Sequence, residues 1–258
     1  MQWTDEAIVL AVQPFAEHAA RVSVFSKTQG RFVAMVRGAQ SAKQRGVYMP
    51  GNGVQATWRA RLAEHMGQLT CELAVPYAAY VLADAARLDA LHAMCTLLEY
   101  CLPEREAHPQ LYAPFERLLQ ALQQQANWPE AYAMLEWTLL SECGFGLDLR
   151  NCAATGSREN LVYVSPRSGR AVSEDAGAPY RDRLLPLPAC VYKGTSAQTV
   201  REAIDVLVLT GYFLHKYLLQ PHGRQLPAAR ERLVRRLQAT ADTATAADPM
   251  PTAAAVHR

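Results

Sequence analysis

RVSVFSKTQGRFVAMVRGAQSAKQRGVYMPGNGVQATWRAR, residues 21–61, is the segment that decides the predicted N-terminal fold of this chain. Apolar and polar residues alternate in ARVSVFS, RFVAMVRG and VQATWRAR, which is the pattern of strands with one buried face. Residues 27–30 and 50–53 carry turn sequences, KTQG and PGNG. The segment therefore predicts strands joined by turns.

The flanking sequence adds two further strands, AIVLAV before the segment and GQLTCELAV after it. Five short strands within about 70 residues indicate a small closed barrel, of which the OB-fold is the five-stranded type. An SH3-like barrel would give the same pattern. We assign the barrel to residues 1–78 and expect Trp58 to lie in its core, since it falls in the apolar set of its strand.

The same segment is strongly basic. It holds eight Lys and Arg and no Asp or Glu, whereas the rest of the chain has 18 basic and 24 acidic residues. Residues 81–142 carry three basic and nine acidic groups. Charges held on a folded barrel add into a field that attracts polyanions, so the barrel and not the central block is the candidate nucleic-acid-binding part.

From Tyr77 onwards the apolar period becomes helical. Residues 78–102 predict one helix, and further helices follow at LYAPFERLLQALQQQ, PEAYAMLEWTLLSECG, SAQTVREAIDVLVLTGYFLHKYLLQ and PAARERLVRRLQ. LVYVS and GRAVS predict two short strands within a small insert at about 145–192. The fold class is therefore α+β, with a mainly helical domain over 79–238. Residues 239–258, rich in Ala, Thr, Pro and Asp, predict a disordered tail.

Several function classes lack support in the sequence. The seven histidines are scattered, and no HExxH, GxSxG or P-loop pattern occurs, so we predict neither an enzyme nor a cofactor. No apolar run reaches the 18 residues that a membrane span needs, and the start MQWTDEAIVL lacks a signal-peptide pattern. We expect a cytoplasmic protein that does not associate with membranes.

Two smaller features leave alternatives open. Cys143 and Cys152 supply half of a tetrahedral metal site, and no histidine between Asp148 and Leu214 completes it. Inert thiols are the simpler interpretation. Four arginines near the C-terminus form either a second nucleic-acid patch or a solvated helix face: Arg230, Arg232, Arg235 and Arg236.

In their order, several motifs resemble the RecO family of bacterial recombination mediators, over about residues 1–238. They are KTQGRFVAMVRG, PGNGVQATWRAR, LLSECGFGLDLRNCAATG, YVSPRSGRAVS and GYFLHKYLLQPHGR. The resemblance implies an OB-fold that binds single- and double-stranded DNA without sequence specificity and anneals complementary strands. It also implies cooperation with RecR and docking of the C-terminal tail of the single-strand-binding protein. Through these partners RecA is loaded, and the protein is associated with the nucleoid.

We predict that phosphates are bound by seven residues of the basic segment: Lys27, Arg31, Arg37, Lys43, Arg45, Arg59 and Arg61. Because residues 128–143 contain no basic side chain, we assign Arg117, on the neighbouring helix, to the carboxylate of the partner tail. Some family members hold zinc with four cysteines. Here Cys143 and Cys152 match the first two, but Thr155 and Ser173 occupy the other positions, so we predict a degenerate site without zinc.

A protein of another class would fit the same charge pattern. An interaction adaptor could use the basic barrel to bind acidic peptides, with DNA contact incidental. A nuclease is the weaker alternative, because residues 21–61 contain no carboxylate that could hold a catalytic metal.

Overall fold

The N-terminal strands form a closed five-stranded barrel in the computed structural model, which describes residues 1–62 and 64–247. The strand order is β1-β2-β3-β5-β4, and β4 pairs with β1 to complete the circuit. Among the strand pairs described in the barrel, β3 and β5 pair in parallel and the others are antiparallel. This is the OB-fold order, so the OB prediction is confirmed and the SH3-like alternative falls away. The strands are β1 (Gln2–Ala16), β2 (Ala19–Ser26), β3 (Gly30–Arg37), β4 (Gly53–Arg59) and β5 (Gln68–Val75).

β1 is longer than the predicted AIVLAV strand because it serves two partners. Its first half pairs with β4 and its second half with β2. The inward side chains of the five strands fill the barrel, and Trp58 is only 3% exposed among them, as predicted.

Eight α-helices follow within the described residues, and the first differs from the prediction. The single helix expected over 78–102 is broken at Asp84, whose carboxylate accepts hydrogen bonds from the backbone N–H groups of Ala86 and Arg87. An aspartate that caps a new helix competes with continuation of the old one. The helices are α1 (Tyr77–Val81), α2 (Ala85–Cys101), α3 (Pro109–Gln124), α4 (Trp128–Leu140), α5 (Glu174–Gly177), α6 (Ala189–Tyr192), α7 (Val200–Phe213) and α8 (Ala228–Ala247).

The C-terminal boundary of the helical domain also needs correction. α8 continues to Ala247, whereas a disordered tail was predicted from residue 239. Alanine has the highest helix propensity, and Ala241 packs against the core. Residues 248–258, the remainder of the predicted tail, lie outside the described residues.

The small β insert forms between α4 and α6. The two predicted strands are present as β6 (Leu161–Val164) and β7 (Ala171–Ser173). A third strand, β8 (Leu185–Pro186), pairs with the other edge of β6. Its two residues are too few for a periodic signal in the sequence.

One side of the barrel packs on the helices. Ile8, Leu10 and Phe25 belong to the same buried cluster as the helical core, and the rings of Phe25 and Tyr112 lie 5.5 Å apart. These contacts fix the barrel on the helical domain. None of the helices within the described ranges has the length and apolar character needed to span a membrane.

Candidate nucleic-acid interface

A row of outward-facing side chains crosses all five strands. In the registers of the barrel, Gln13 lies opposite Arg21, Arg21 opposite Met35, Met35 opposite Gln68, and Gln68 opposite Arg59. Arg21, Gln68 and Arg59 are exposed. The row shows how β5 brings the ends of β3 and β4 together, although these two strands are not neighbours.

Arg37 and Arg59 are therefore close in space. Arg37 follows Met35 by two residues on β3, and Arg59 is two strands away from Met35. With about 4.8 Å between strands and about 3.3 Å per residue, their Cα atoms are roughly 12 Å apart. The loop that precedes β5 joins the same edge, since the N–H of Met35 donates to the carbonyl of Gly67 at 3.2 Å.

Two loops extend this surface. Lys43 and Arg45 lie in the loop after β3, which is ordered by turn hydrogen bonds from Ser41 to Gly38 and from Arg45 to Ser41, at 3.0 and 2.9 Å. Arg61 lies just after β4. We call the resulting surface the basic belt, and it consists of Arg37, Lys43, Arg45, Arg59 and Arg61.

The side chains of the basic belt are exposed. Within residues 1–62 and 64–247, no carboxylate lies within ion-pair distance of any of the five. Exposed, unpaired cations keep their hydration and counterions until a polyanion displaces them. The belt is thus the part of the basic segment that is available to phosphates.

Arg31 is placed differently from the other predicted DNA-binding residues. Its side chain is only 13% exposed and forms ion pairs with Glu99 at 3.5 Å and Glu104 at 3.6 Å. Its Nε donates to the carbonyl of Leu102 at 2.7 Å. These contacts hold the barrel to the helical domain, so we do not include Arg31 in the belt.

Lys27 is also paired. Its Nζ lies 2.7 Å from a carboxylate oxygen of Glu6, and both side chains are exposed. The hydrogen bond and the charge of Glu6 raise the pKa of Lys27. The ammonium therefore stays charged, but the neighbouring carboxylate offsets its field.

The end of α2 and the segment after it cover the β2–β3 face, which OB-folds commonly use for ligands. The N–H of Arg105 donates to the carbonyl of Arg31 at 2.7 Å, and Ser23 on β2 is hydrogen-bonded to Glu99. Gly30 allows the approach: it has a φ of +71°, and a Cβ there would lie 1.7 Å from the carbonyl oxygen of Glu106. The β2–β3 face is therefore covered by the chain itself, whereas Arg37 and Arg59 lie at the exposed ends of β3 and β4.

Most of the C-terminal arginines form ion pairs within the helical domain. Arg230 is buried and donates to both carboxylate oxygens of Glu136 at 2.7 Å. Arg232 and Arg236 both bind Asp89, at 2.6 and 3.3 Å. Because three of the four have acidic partners, we do not assign the cluster to DNA.

Arg117 is exposed on α3 and lines a groove of about 390 Å³ between α3 and α4. The apolar part of the groove is formed by Ala131, Met134 and Leu135, and Glu130 also contributes to its wall. The groove combines a cation with apolar side chains, which suits a short peptide that ends in a carboxylate.

The cysteine positions of the insert are only partly brought together. The Sγ of buried Cys152 accepts from the N–H and the hydroxyl of Ser173, at 3.3 and 3.4 Å. Burial would raise the pKa of this thiol, but hydrogen bonds from Ser173 and Thr155 lower it to about 6. Cys143 instead contacts the carbonyl of Cys101. Among the described residues, no three His, Cys, Asp or Glu side chains converge on a point where they could hold a metal ion.

Comparison with known proteins identifies the family. The model for the N-terminal domain of recombination protein O matches residues 1–77, and the model for its C-terminal domain matches residues 82–226. The DNA repair protein RecO of Rhodospirillum centenum is 47% identical over 253 residues, which cover 97% of this chain and 100% of that protein. The DNA repair protein RecO of Granulibacter bethesdensis is 43% identical over 254 residues, with coverages of 94% and 98%. The chain therefore belongs to the RecO family of recombination proteins.

Proposed function

We propose that the protein acts in DNA repair as a recombination mediator that binds single- and double-stranded DNA through the basic belt and anneals complementary strands. The observation that supports this most is the contrast in pairing. The five belt cations, at the ends of β3 and β4 and in the loops after them, are exposed and have no acidic partner among the described residues, whereas Lys27 and Arg31 are paired. Its relatives are named DNA repair proteins, which agrees with a nucleic acid as the polyanion.

Binding would be mainly electrostatic. Cations on flexible side chains contact phosphates and leave base edges free to pair. Two strands held on one surface have a raised effective concentration for each other, and neutralised phosphates repel less. Annealing by this route requires no bond to be made or broken by the protein.

The groove beside Arg117 is our proposed docking site for the acidic C-terminal tail of the single-strand-binding protein. Arg117 would pair with the terminal carboxylate, while the partly exposed Ala131 and Met134 would contact apolar residues of the tail. The groove and the belt belong to different domains. The groove could therefore bind the single-strand-binding protein on a coated strand while the basic belt binds the DNA itself.

We infer from its membership of the RecO family that the protein also takes part in loading RecA, together with RecR.

The test is strand annealing of two complementary oligonucleotides, free or coated with single-strand-binding protein. The wild type should anneal both substrates. A variant with Arg37→Glu, Arg59→Glu and Arg61→Glu should anneal neither, whereas Arg117→Glu should fail only on coated strands. Annealing by the triple variant at the wild-type rate would contradict the proposal.

A further inference from the structure

A pocket of about 490 Å³ opens on the barrel beside the basic belt. Aromatic rings form much of its lining: Trp3 lies 5.1 Å from Phe32 and 6.2 Å from Trp58, measured between ring centroids. Phe32 and Trp58 are almost fully buried, whereas Trp3 is half-buried and provides accessible ring surface. The size is within the range of small-molecule sites.

We propose that this pocket takes one unstacked nucleobase of a DNA strand that is bound on the basic belt. The inference rests on the proposed function and adds to it a specific contact with a base.

The chemistry of the lining suits a base of any sequence. Every nucleobase has a π-face that stacks on an aromatic ring, and an amide side chain can donate to or accept from a base edge. Gln2 and Gln29 supply two such amides in the lining. The guanidinium of Arg105 completes it, 4.9 Å from the centroid of the Phe32 ring.

The position of the pocket connects it to the belt. Gln2 on β1 lies directly opposite Arg59 on β4, and Trp3 lies opposite Trp58. The backbone positions of Arg59 and the pocket-lining Gln2 are therefore one strand spacing apart, about 4.8 Å, so a DNA strand bound by Arg59 would lie beside the pocket. A base that unstacks next to Arg59 can therefore reach the aromatic rings of this pocket.

Arg105 is held in place before any ligand arrives. Its φ of +65° is unusual for a residue other than glycine. The hydrogen bond from its N–H to Arg31 and one from its Nη2 to the carbonyl of His65, at 2.9 Å, fix both ends of the residue. A strained backbone of this kind is typical of residues that position a functional group.

The test uses fluorescence anisotropy to compare the affinity of the full-length protein for two labelled 12-nucleotide strands. One is oligothymidylate, and the other has the same phosphates but abasic sugars. The wild type should bind oligothymidylate about tenfold more tightly, as stacking of one base predicts. Trp3→Ala should remove most of this preference without changing the salt dependence, Trp3→Phe should keep it, and the control Tyr180→Ala, at an exposed tyrosine of the helical domain, should have no effect.

Equal affinity of the wild type for the two strands would overturn base binding in the pocket but would agree with phosphate binding by the belt. Failure to bind either strand would overturn the proposed function, and the pocket with it. If Trp3→Ala does not fold, photocrosslinking of the wild type to a 5-iododeoxyuridine strand decides the question. Adducts on peptides that contain Trp3, Phe32 or Trp58 are expected, and adducts confined to other peptides would overturn the inference.

Discussion

The basic belt and the turn from Lys27 to Arg31 come from one uninterrupted basic segment, yet they differ in what surrounds them. The belt residues have no acidic partner among the described residues, whereas Lys27 faces Glu6, and Arg31 faces Glu99 and Glu104. Folding thus divides the segment into a surface that is open to phosphates and a joint that fixes the barrel on the helices. Charge density along a sequence becomes a binding surface only where the rest of the chain does not neutralise it.

The largest effect should come from reversing charges in the belt. Arg37→Glu, Arg59→Glu and Arg61→Glu together should lower the affinity for single-stranded DNA about 100-fold at low salt, because three phosphate contacts are replaced by repulsion. Anisotropy titration measures this change. Arg150→Glu, Arg167→Glu and Arg183→Glu make the same change of net charge on exposed residues of the insert and should have a much smaller effect. Equal losses in the two variants would mean that only the net charge matters.

Of the contacts that join the turn at residues 27–31 to the helical domain, those at Gly30 should matter most for stability. Gly30→Ala should lower the free energy of unfolding by about 2–3 kcal/mol, because the methyl group would displace the backbone at Glu106 and the residue would keep a positive φ. Urea denaturation measures this loss. Gly38→Ala is the matched control: Gly38 has the same φ of +71° but no atom closer than 3.8 Å to the new Cβ, so the loss should be about 1 kcal/mol.

Removing Arg31 should affect stability and leave DNA binding nearly unchanged. Arg31→Ala should cost about 2 kcal/mol, since Glu99 and Glu104 lose a partner and the carbonyl of Leu102 loses a donor. Arg45→Ala, at an exposed residue of the belt, should lower the free energy of unfolding by less than about 0.5 kcal/mol. A stable Arg31→Ala protein with strongly reduced DNA affinity would show that this residue belongs to the belt after all.

The smallest effect should be at Lys27. Lys27→Ala should change the DNA affinity by less than about twofold because Glu6 already offsets its charge, whereas Arg59→Ala should lower it about fivefold. Salt titrations of both variants separate the two cases. A loss at Lys27 equal to that at Arg59 would remove the distinction between paired and unpaired cations.

Much of the fold could be predicted from local patterns. The alternation in β2, β3 and β4 and the turns at residues 27–30 and 50–53 predict the barrel, and two five-residue patterns predict the two longer strands of the insert. The errors have local physical causes. Asp84 caps a new helix inside a continuous apolar stripe, β8 has two residues, and alanine-rich composition extends α8 instead of ending it.

The candidate site could be predicted only in part, because its limits depend on contacts between distant segments. Every residue of the basic belt lies in the basic segment and is predicted from the sequence. The carboxylates that neutralise Lys27 and Arg31 come from residues 6, 99 and 104, and no spacing rule connects them. Trp3 was likewise missed as a partner of Trp58, since only the pairing of β1 with β4 brings them together.

The five belt cations have no acidic partner among the described residues, and we expect them to carry DNA binding. The dependence of affinity on salt concentration reports how many phosphates they contact. For single strands each phosphate contact contributes about −0.7 to the slope of log affinity against log salt, so five contacts predict a slope of about −3.5. The variant reversed at Arg37, Arg59 and Arg61 retains two contacts and should show about −1.4. A wild-type slope near zero, or the same slope in both proteins, would show that the basic belt does not bind the DNA phosphates.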